Sequence, residues 1–266
     1  MTDLIARLEA AEAPVKERPI LFSGPMVRAL LDGRMTQTRR VVRPQPHHGP
    51  VGQMVNLGGP DWAMDDGDLS GQWRCPYGVP GDRLWVRETW QVAQESLDWE
   101  TGSEYDVFSW DDMYGPAQDW LHGDARGGIK SRVFYAADGE DRNPSAFYGV
   151  IGLDGKVIEK PAICWHPSVH MPRWASRLTL EITEVRAERL QDISDRGQPN
   201  DCIAEGVFAD DFAVKTSEWL ERGFSSIEKA RFHDLWTSIN GPDSWDANPW
   251  VWAVSFNVLR TKGSDQ

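Results

Sequence analysis

The hydrophobic and polar positions of the chain resolve first around residues 20–42. Ile20, Leu21 and Phe22 form a short apolar run suited to a strand. Met26, Val27, Leu30 and Leu31 then recur at helical spacing, with Gly24 as N-cap, Pro25 at the first helical position and Gly33 as the C-terminal stop. The octapeptide Gly33-Arg34-Met35-Thr36-Gln37-Thr38-Arg39-Arg40 leaves that helix. It predicts a strand from Arg34 to Val42, ending before Pro44. Alternation places Arg34, Thr36, Thr38 and Arg40 on one face and Met35, Gln37, Arg39 and Val41 on the other. A face of two arginines and two threonines is not expected in a core, and by spacing alone it reads as a solvated edge strand or a binding surface.

Farther along, the pattern is uneven. Leu4, Ile5 and Leu8 suggest a short amphipathic helix within 1–17, ended by Pro14. Residues 44–78 are rich in Pro, Gly and Asp and read as a long loop. A strand is predicted from Arg83 to Trp90 after the Pro80-Gly81-Asp82 turn, with Trp85 on the same face as Arg83 and Arg87. Residues 91–130 read as an acidic insertion with little regular structure, followed by a strand near 133–137 and a second loop over 138–172. Leu178, Leu180 and Ile182 alternate with polar residues, and the alternation slips by one at Val185, which predicts a bulge. A short helix over 199–205 stops at Gly206. Ser225-x-x-Glu228 forms a capping box for a helix carrying Ile227, Phe232, Leu235, Trp236 and Ile239, closed by Asn240-Gly241. Trp250, Trp252, Val254, Phe256 and Val258 share one face of a central strand.

This order has no regular βαβ alternation. It favours an α+β fold built on a mainly antiparallel curved sheet or barrel, with flanking helices and long loop insertions. The expected organisation is an N-terminal appendage helix at 1–17, a single domain over 18–260 with insertions at about 44–78 and 91–172, and a tail at 261–266.

Charge changes the functional picture. The chain of 266 residues carries 28 Lys+Arg against 41 Asp+Glu, a net charge of −13. Such a body repels a phosphate backbone, so broad binding to long duplexes is disfavoured. Between Arg18 and Arg43, however, six arginines face one aspartate, a local balance of +5. A basic site on an acidic body suits a small anionic ligand or a few nucleotides. The three cysteines, Cys75, Cys164 and Cys202, are odd in number and far apart, which points to a reducing compartment. No apolar stretch approaches membrane-spanning length and the N-terminus lacks a hydrophobic signal core, so a cytoplasmic protein with no membrane partner is expected.

Other constellations are weaker. Cys164-x-His166-x-x-x-His170 could contribute to a zinc site, with Cys75 or His47-His48 as a fourth ligand, but no second regularly spaced pair completes it. Neither a phosphate-binding Gly-rich loop nor a dinucleotide fingerprint is present, and no metal or cofactor is expected. Most of the 14 tryptophans fall on apolar faces, whereas Trp85, beside Arg83 and Arg87, has the setting of a base-stacking residue or of core.

Segments 18–44, 80–90, 171–207 and 230–256 resemble the ASCH domain of the PUA-like superfamily, in particular the larger ASCH proteins carried by tailed phages and prophages. These include Arg18-Pro19-Ile20-Leu21 through Arg43-Pro44 and the Asn248-Pro249-Trp250-Val251-Trp252 run. The resemblance implies a PUA-like β-barrel with a cleft beside the first helix, associated with RNA, nucleotides or modified nucleobases. The family signature Gly-x-Lys-x-x-Glu-x-Arg matches at Gly33 and Arg40, with Met35 in the lysine position and Thr38 in the glutamate position. One branch is similar in having Gly-Arg-Lys-Thr-x-Thr-x-Arg and removes the acetyl group from cytidine acetylated on its exocyclic amine. Its catalytic lysine, threonine and glutamate fall on Met35, Thr38 and Glu205. A thioether carries no useful proton at neutral pH, so Met35 departs from amidohydrolase chemistry.

The combined expectation is a domain that recognises a nucleoside, nucleotide or short single-stranded segment through Arg34, Arg39, Arg40, Trp85 and Arg87. Thr38 and Glu205 are the catalytic pair if the chain is an amidohydrolase on a modified cytidine. The remaining alternative is an interaction module whose acidic insertion at 91–130 engages a host protein, in the bacterial cytoplasm if the protein is phage-encoded.

Overall fold

A computed structural model of the chain describes residues 14–46, 52–65, 71–97, 104–109, 130–138, 150–151, 157–158, 165–197, 200–207 and 221–260. The fold is mixed α and β, with mostly strands and few helices. The chain divides into two compact units: residues 1–20, 29–85 and 177–266 form one, and 21–28 with 86–176 form the other.

The first unit is built on a five-stranded sheet. Its strands are β1 (Glu17–Leu21), β6 (Arg83–Arg87), β12 (Leu178–Arg189), β13 (Trp250–Arg260) and β2 (Gln37–Val41), in that spatial order. The pairings of β12 with β6 and β13, and of β13 with β2, are antiparallel. β13 is central, as its apolar face predicts, and Trp250, Trp252, Val254 and Phe256 are all buried. The register of β12 against β13 shifts between Ile182 and Glu184, which is the bulge expected from the slipped alternation.

Among the described residues the strands are accompanied by α1 (Gly24–Leu31), α2 (Asp201–Ala204) and α3 (Ile227–Asn240). The Val27 amide donates to the Ser23 carbonyl, so Ser23 rather than Gly24 holds the N-cap position and Gly24 begins α1. Gly33 follows in the left-handed region at φ +69°, where glycine is the least strained residue. α2 is capped by Asn200, whose side chain accepts from the Ile203 amide. In α3 the expected Ser225 capping box is displaced by one residue. Ser226 accepts from the Lys229 amide, while the Ser225 hydroxyl donates to Asp195. Phe232 and Trp236 of α3 join Leu190, Ile193, Cys202, Val207, Trp245 and Val251 in one core cluster, while Ile239, expected on that face, is exposed.

The segment 44–78, expected to be a loop, carries a three-stranded antiparallel sheet of β3 (Met54–Gly58), β4 (Asp61–Met64) and β5 (Gln72–Arg74). Its strands are only three to five residues long, too short for an alternation to stand out. Trp62 makes them worthwhile, being buried with its ring 5.5 Å from that of Trp252 in an edge-on contact.

The second unit holds an antiparallel sheet in the order β8 (Glu104–Ser109), β7 (Trp90–Leu97), β9 (Lys130–Tyr135). The stretch read as an irregular acidic insertion therefore contains a β7–β8 pairing, and the strand expected from Arg83 to Trp90 is split between β6 and β7. Within 138–172, β10 (Val150–Ile151) pairs with β11 (Val157–Ile158). Trp90 packs with Met171 and Ala175, and the Tyr135 hydroxyl donates to the Ala175 carbonyl at 2.9 Å. Among the described residues no helix is long and apolar enough to cross a membrane. The N-terminal helix at 1–13, Trp99, Trp110, Trp120, Cys164, His47, His48 and the tail at 261–266 lie outside the described residues.

Candidate functional site

The octapeptide is divided by the structure. Arg34 precedes the strand, on the surface, with its Nε and Nη2 donating to Asp32 at 3.0 and 2.9 Å. Met35 is 1% exposed and belongs to the core. An added Cβ on Gly206 would lie 3.2 Å from the Cβ atoms of both Met35 and Ala29. The backbone of Gly206, at φ +80°, therefore comes close to Met35. The position of the family lysine is thus an apolar wall directly behind the α2 turn.

Gln37, Thr38 and Arg39 of β2 are buried and Arg40 and Val41 are half-buried, where a solvated or ligand-facing surface was expected. Gln37 and Arg39 share one face, and Thr38 and Arg40 the other. Thr38, 1% exposed, registers with Val254, and Arg40 with Trp252, which places the threonine beside the apolar face of β13.

Arg39 is a structural centre rather than a ligand-facing group. Its side chain is fully buried, and the register explains how it reaches its partners. Arg39 pairs with Ala253 on β13, and Ala253 pairs with Arg186 on β12. Neighbouring strands are about 4.8 Å apart, so the small Ala253 leaves a long guanidinium room to cross one strand and meet the next. Arg39 donates through Nε to Glu188 Oε1 at 3.0 Å, through Nη2 to Asp201 Oδ2 at 2.7 Å and through Nη1 to Glu205 Oε1 at 2.9 Å; a further short contact joins Nη2 to Glu188. Arg186 Nη2 donates to both Asp201 oxygens at 3.1 Å. With the Gln37 amide oriented to satisfy its neighbours, it donates to Asp201 and accepts from Arg186. Two arginines and three carboxylates leave a formal charge of −1 in this network.

Asp201 and Glu205 meet Arg39 together because they are four residues apart across α2 and its C-cap, and so lie on one face. β2 is an edge strand, and the Arg39 amide donates to Glu205 Oε2 at 3.2 Å where another strand would otherwise bind. The Thr36 amide donates to the Ala204 carbonyl at 2.9 Å and fastens the same turn. Both Glu205 oxygens are therefore engaged by Arg39. No hydrogen bond joins Glu205 to Thr38, so the two expected catalytic residues are not brought together as nucleophile and base.

Electrostatics follow from this burial. Burial alone would lower the pKa of Arg39, but Glu205, Glu188 and Asp201 hold it above its ordinary value. Burial pushes Glu205 upward, partly opposed by Arg39 and then by Arg40. Burial would also raise Asp201, yet Arg39 and Arg186 hold it below the usual carboxylate range. Arg40 is lowered by burial against the pull of Tyr77 and Glu205, and Tyr77 is raised by burial against the pull of Arg40. Arg40 thus senses both Tyr77 and Glu205. Tyr77 was not singled out from sequence, and only its placement beside Arg40 brings it to notice.

The remaining expected residues lie elsewhere. Trp85, in the first unit, is buried at 8% exposure and offers no open stacking face. Arg87 lies in the second unit, where its Nη1 donates to the Val169 carbonyl at 3.1 Å. His166 packs its ring on Trp90 at 4.9 Å. Among the described residues no group of three or more His, Cys, Asp or Glu is arranged to hold a metal ion. Cys75 and Cys202 are buried free thiols, and burial pushes Cys202 up to about 12, which removes thiolate nucleophilicity at neutral pH. Comparison of the chain with protein-family models, with curated proteins and with solved structures finds no match.

Proposed function

We propose that this chain is a recognition module of the ASCH, PUA-like type that reads a nucleobase, a nucleotide or a short single-stranded segment at β2, through Arg40 and Glu205. The observation that carries this reading is the hold of Arg39 on Glu205. Both carboxylate oxygens accept from Arg39 at 2.9 and 3.2 Å, which fixes the group as an oriented acceptor. Each oxygen keeps a further lone pair for an amine on a base edge. Arg40, whose charge acts on Glu205, is a donor for a phosphate or a base carbonyl. The net charge of −13 favours such a small ligand over a long duplex.

The geometry supports a reader above an amidohydrolase. Activating a threonine hydroxyl requires a base in contact with it. Met35 supplies none, and the hydrogen bonds of Glu205 go to Arg39 and not to Thr38. Two free, buried cysteines support a reducing, cytoplasmic setting.

The test is calorimetric titration with nucleosides, nucleotides and short oligonucleotides, using the native chain, Arg40→Ala and Glu205→Gln, each checked for folding by circular dichroism. Binding to the native chain that is lost in both folded variants is the expected result. Undiminished binding in both would overturn the reading. Release of acetate from N-acetylated cytidine, followed by mass spectrometry, would favour the hydrolase instead.

A further inference from the structure

A cavity of about 630 Å³, with no β2 residue in its lining, lies in the first unit between α3, the turn at Gln191 and the segment 222–225. Its size falls in the range of small-molecule sites. One wall is aromatic. The Phe224 and His233 ring centroids are 5.0 Å apart, His233 and Trp245 are 5.2 Å apart, and Phe224 and Trp245 are 6.1 Å apart.

The opposite chemistry is cationic. Lys229 lines the cavity and is steered by its Nζ donating to the Gln191 carbonyl at 2.7 Å, with Asp195 near enough to interact with its charge. Arg222 also lines it and lies over the Phe224 ring at 5.0 Å. Two neighbouring acids are already engaged. Asp234 accepts from Arg222 at 2.6 and 3.1 Å, and His233 Nδ1 lies 2.8 Å from Asp234 and 2.9 Å from Arg222 Nη2. Asp195 accepts from Ser225 beside the start of α3. Asp246 is the acid that lines the cavity itself. The positive end of the 14-residue α3 lies at the same wall, where Ser225 and Lys229 contribute to the lining.

We propose that this cavity is a second binding site, separate from β2, for a planar aromatic ligand bearing an anionic group. The ring packs on the Phe224 and Trp245 wall and the anion lies at Lys229, with Arg222 held ready by Asp234. Ring stacking and charge-assisted donation are the two contributions, and neither needs a metal.

The probe is adenosine 5′-monophosphate, titrated into the full chain while the histidine imidazole signals are followed by NMR. Movement of the His233 signals, with the affinity read at those signals reduced about tenfold or more in Lys229→Gln and in Phe224→Leu, is expected. Circular dichroism verifies that the variants fold, and the His233 signals of the native chain report on the site without any substitution. Adenosine and ribose 5-phosphate, each lacking one half of the ligand, should bind more weakly. No shift of His233 at millimolar probe would overturn the site. So would movement of the His233 signals that Lys229→Gln leaves intact, or ribose 5-phosphate binding as tightly as the nucleotide.

Discussion

Arg39 holds Glu205 twice, by its backbone amide to Oε2 at 3.2 Å and by Nη1 to Oε1 at 2.9 Å. The two residues are 166 positions apart, and their pairing joins the edge of β2 to the end of α2. One arginine therefore closes an open sheet edge and orients the carboxylate proposed to meet the ligand.

Replacing Arg39 leaves Glu188, Asp201 and Glu205 in a buried place without their common cation. Arg39→Met is expected to cost roughly 3–5 kcal/mol, read from urea unfolding. Arg39→Lys is expected to fall well short of rescue, since an ammonium cannot reproduce the fork that reaches three carboxylates. Native stability in Arg39→Lys would show that the network acts by charge alone.

Met35→Lys introduces the lysine of the family that the sequence resembles but drives an ammonium into a site 1% exposed beside Gly206. A loss on the order of 3 kcal/mol is expected, with no gain of deacetylase activity. Thermal unfolding and a mass-spectrometric assay on N-acetylated cytidine measure the two outcomes. A stable, active variant would revive the hydrolase reading.

Gly206→Ala tests the close approach behind Glu205. The left-handed backbone at φ +80° costs a non-glycine residue roughly 1–2 kcal/mol, and the new methyl would crowd Met35 and Ala29. Destabilisation of at least that size is expected in chemical denaturation, together with weakened binding, because the turn that sets Glu205 must shift.

The pH dependence has two opposed limbs. Asp201 is depressed in the folded chain, so its contribution is present above the unfolded value near 3.9 and is lost as pH falls through the folded value. Glu205 is raised, so the folded chain holds its proton longer than the unfolded chain does. Its contribution is greatest below about 4.3 and declines as pH rises through the folded value. Urea midpoints measured against pH should show Asp201→Asn flattening the acid limb and Glu205→Gln flattening the decline above it. Identical profiles for all three proteins would sink the assignment.

Thiol labelling gives an independent measure of the core. Cys75 and Cys202 are buried with raised pKa values, so the native chain should react with a thiol reagent at Cys164 at most, and at all three cysteines after denaturation. Rapid native labelling of Cys202 would contradict the packing of α2.

Much of the framework was legible from local pattern. The helix closed by Gly33, the bulged strand from Leu178, the short helix stopped by Gly206 and the apolar β13 are each written within one element, where periodicity and end signals suffice. The short strands within 44–78 were not legible, because three to five residues carry too little alternation and their stability comes from contacts such as Trp62 with Trp252.

The site shows the same division. The sequence by itself determined that Arg39, Arg40, Thr38 and Glu205 are present and that no lysine stands at position 35. Only the tertiary structure decided what each of them does. Strand register set Arg39 opposite Ala253 and within reach of β12, and that alignment turned an expected ligand contact into the buried partner of three carboxylates. A charge reads the same in any sequence. Whether it meets solvent, ligand or counter-ion depends on which residues the fold places across the sheet from it.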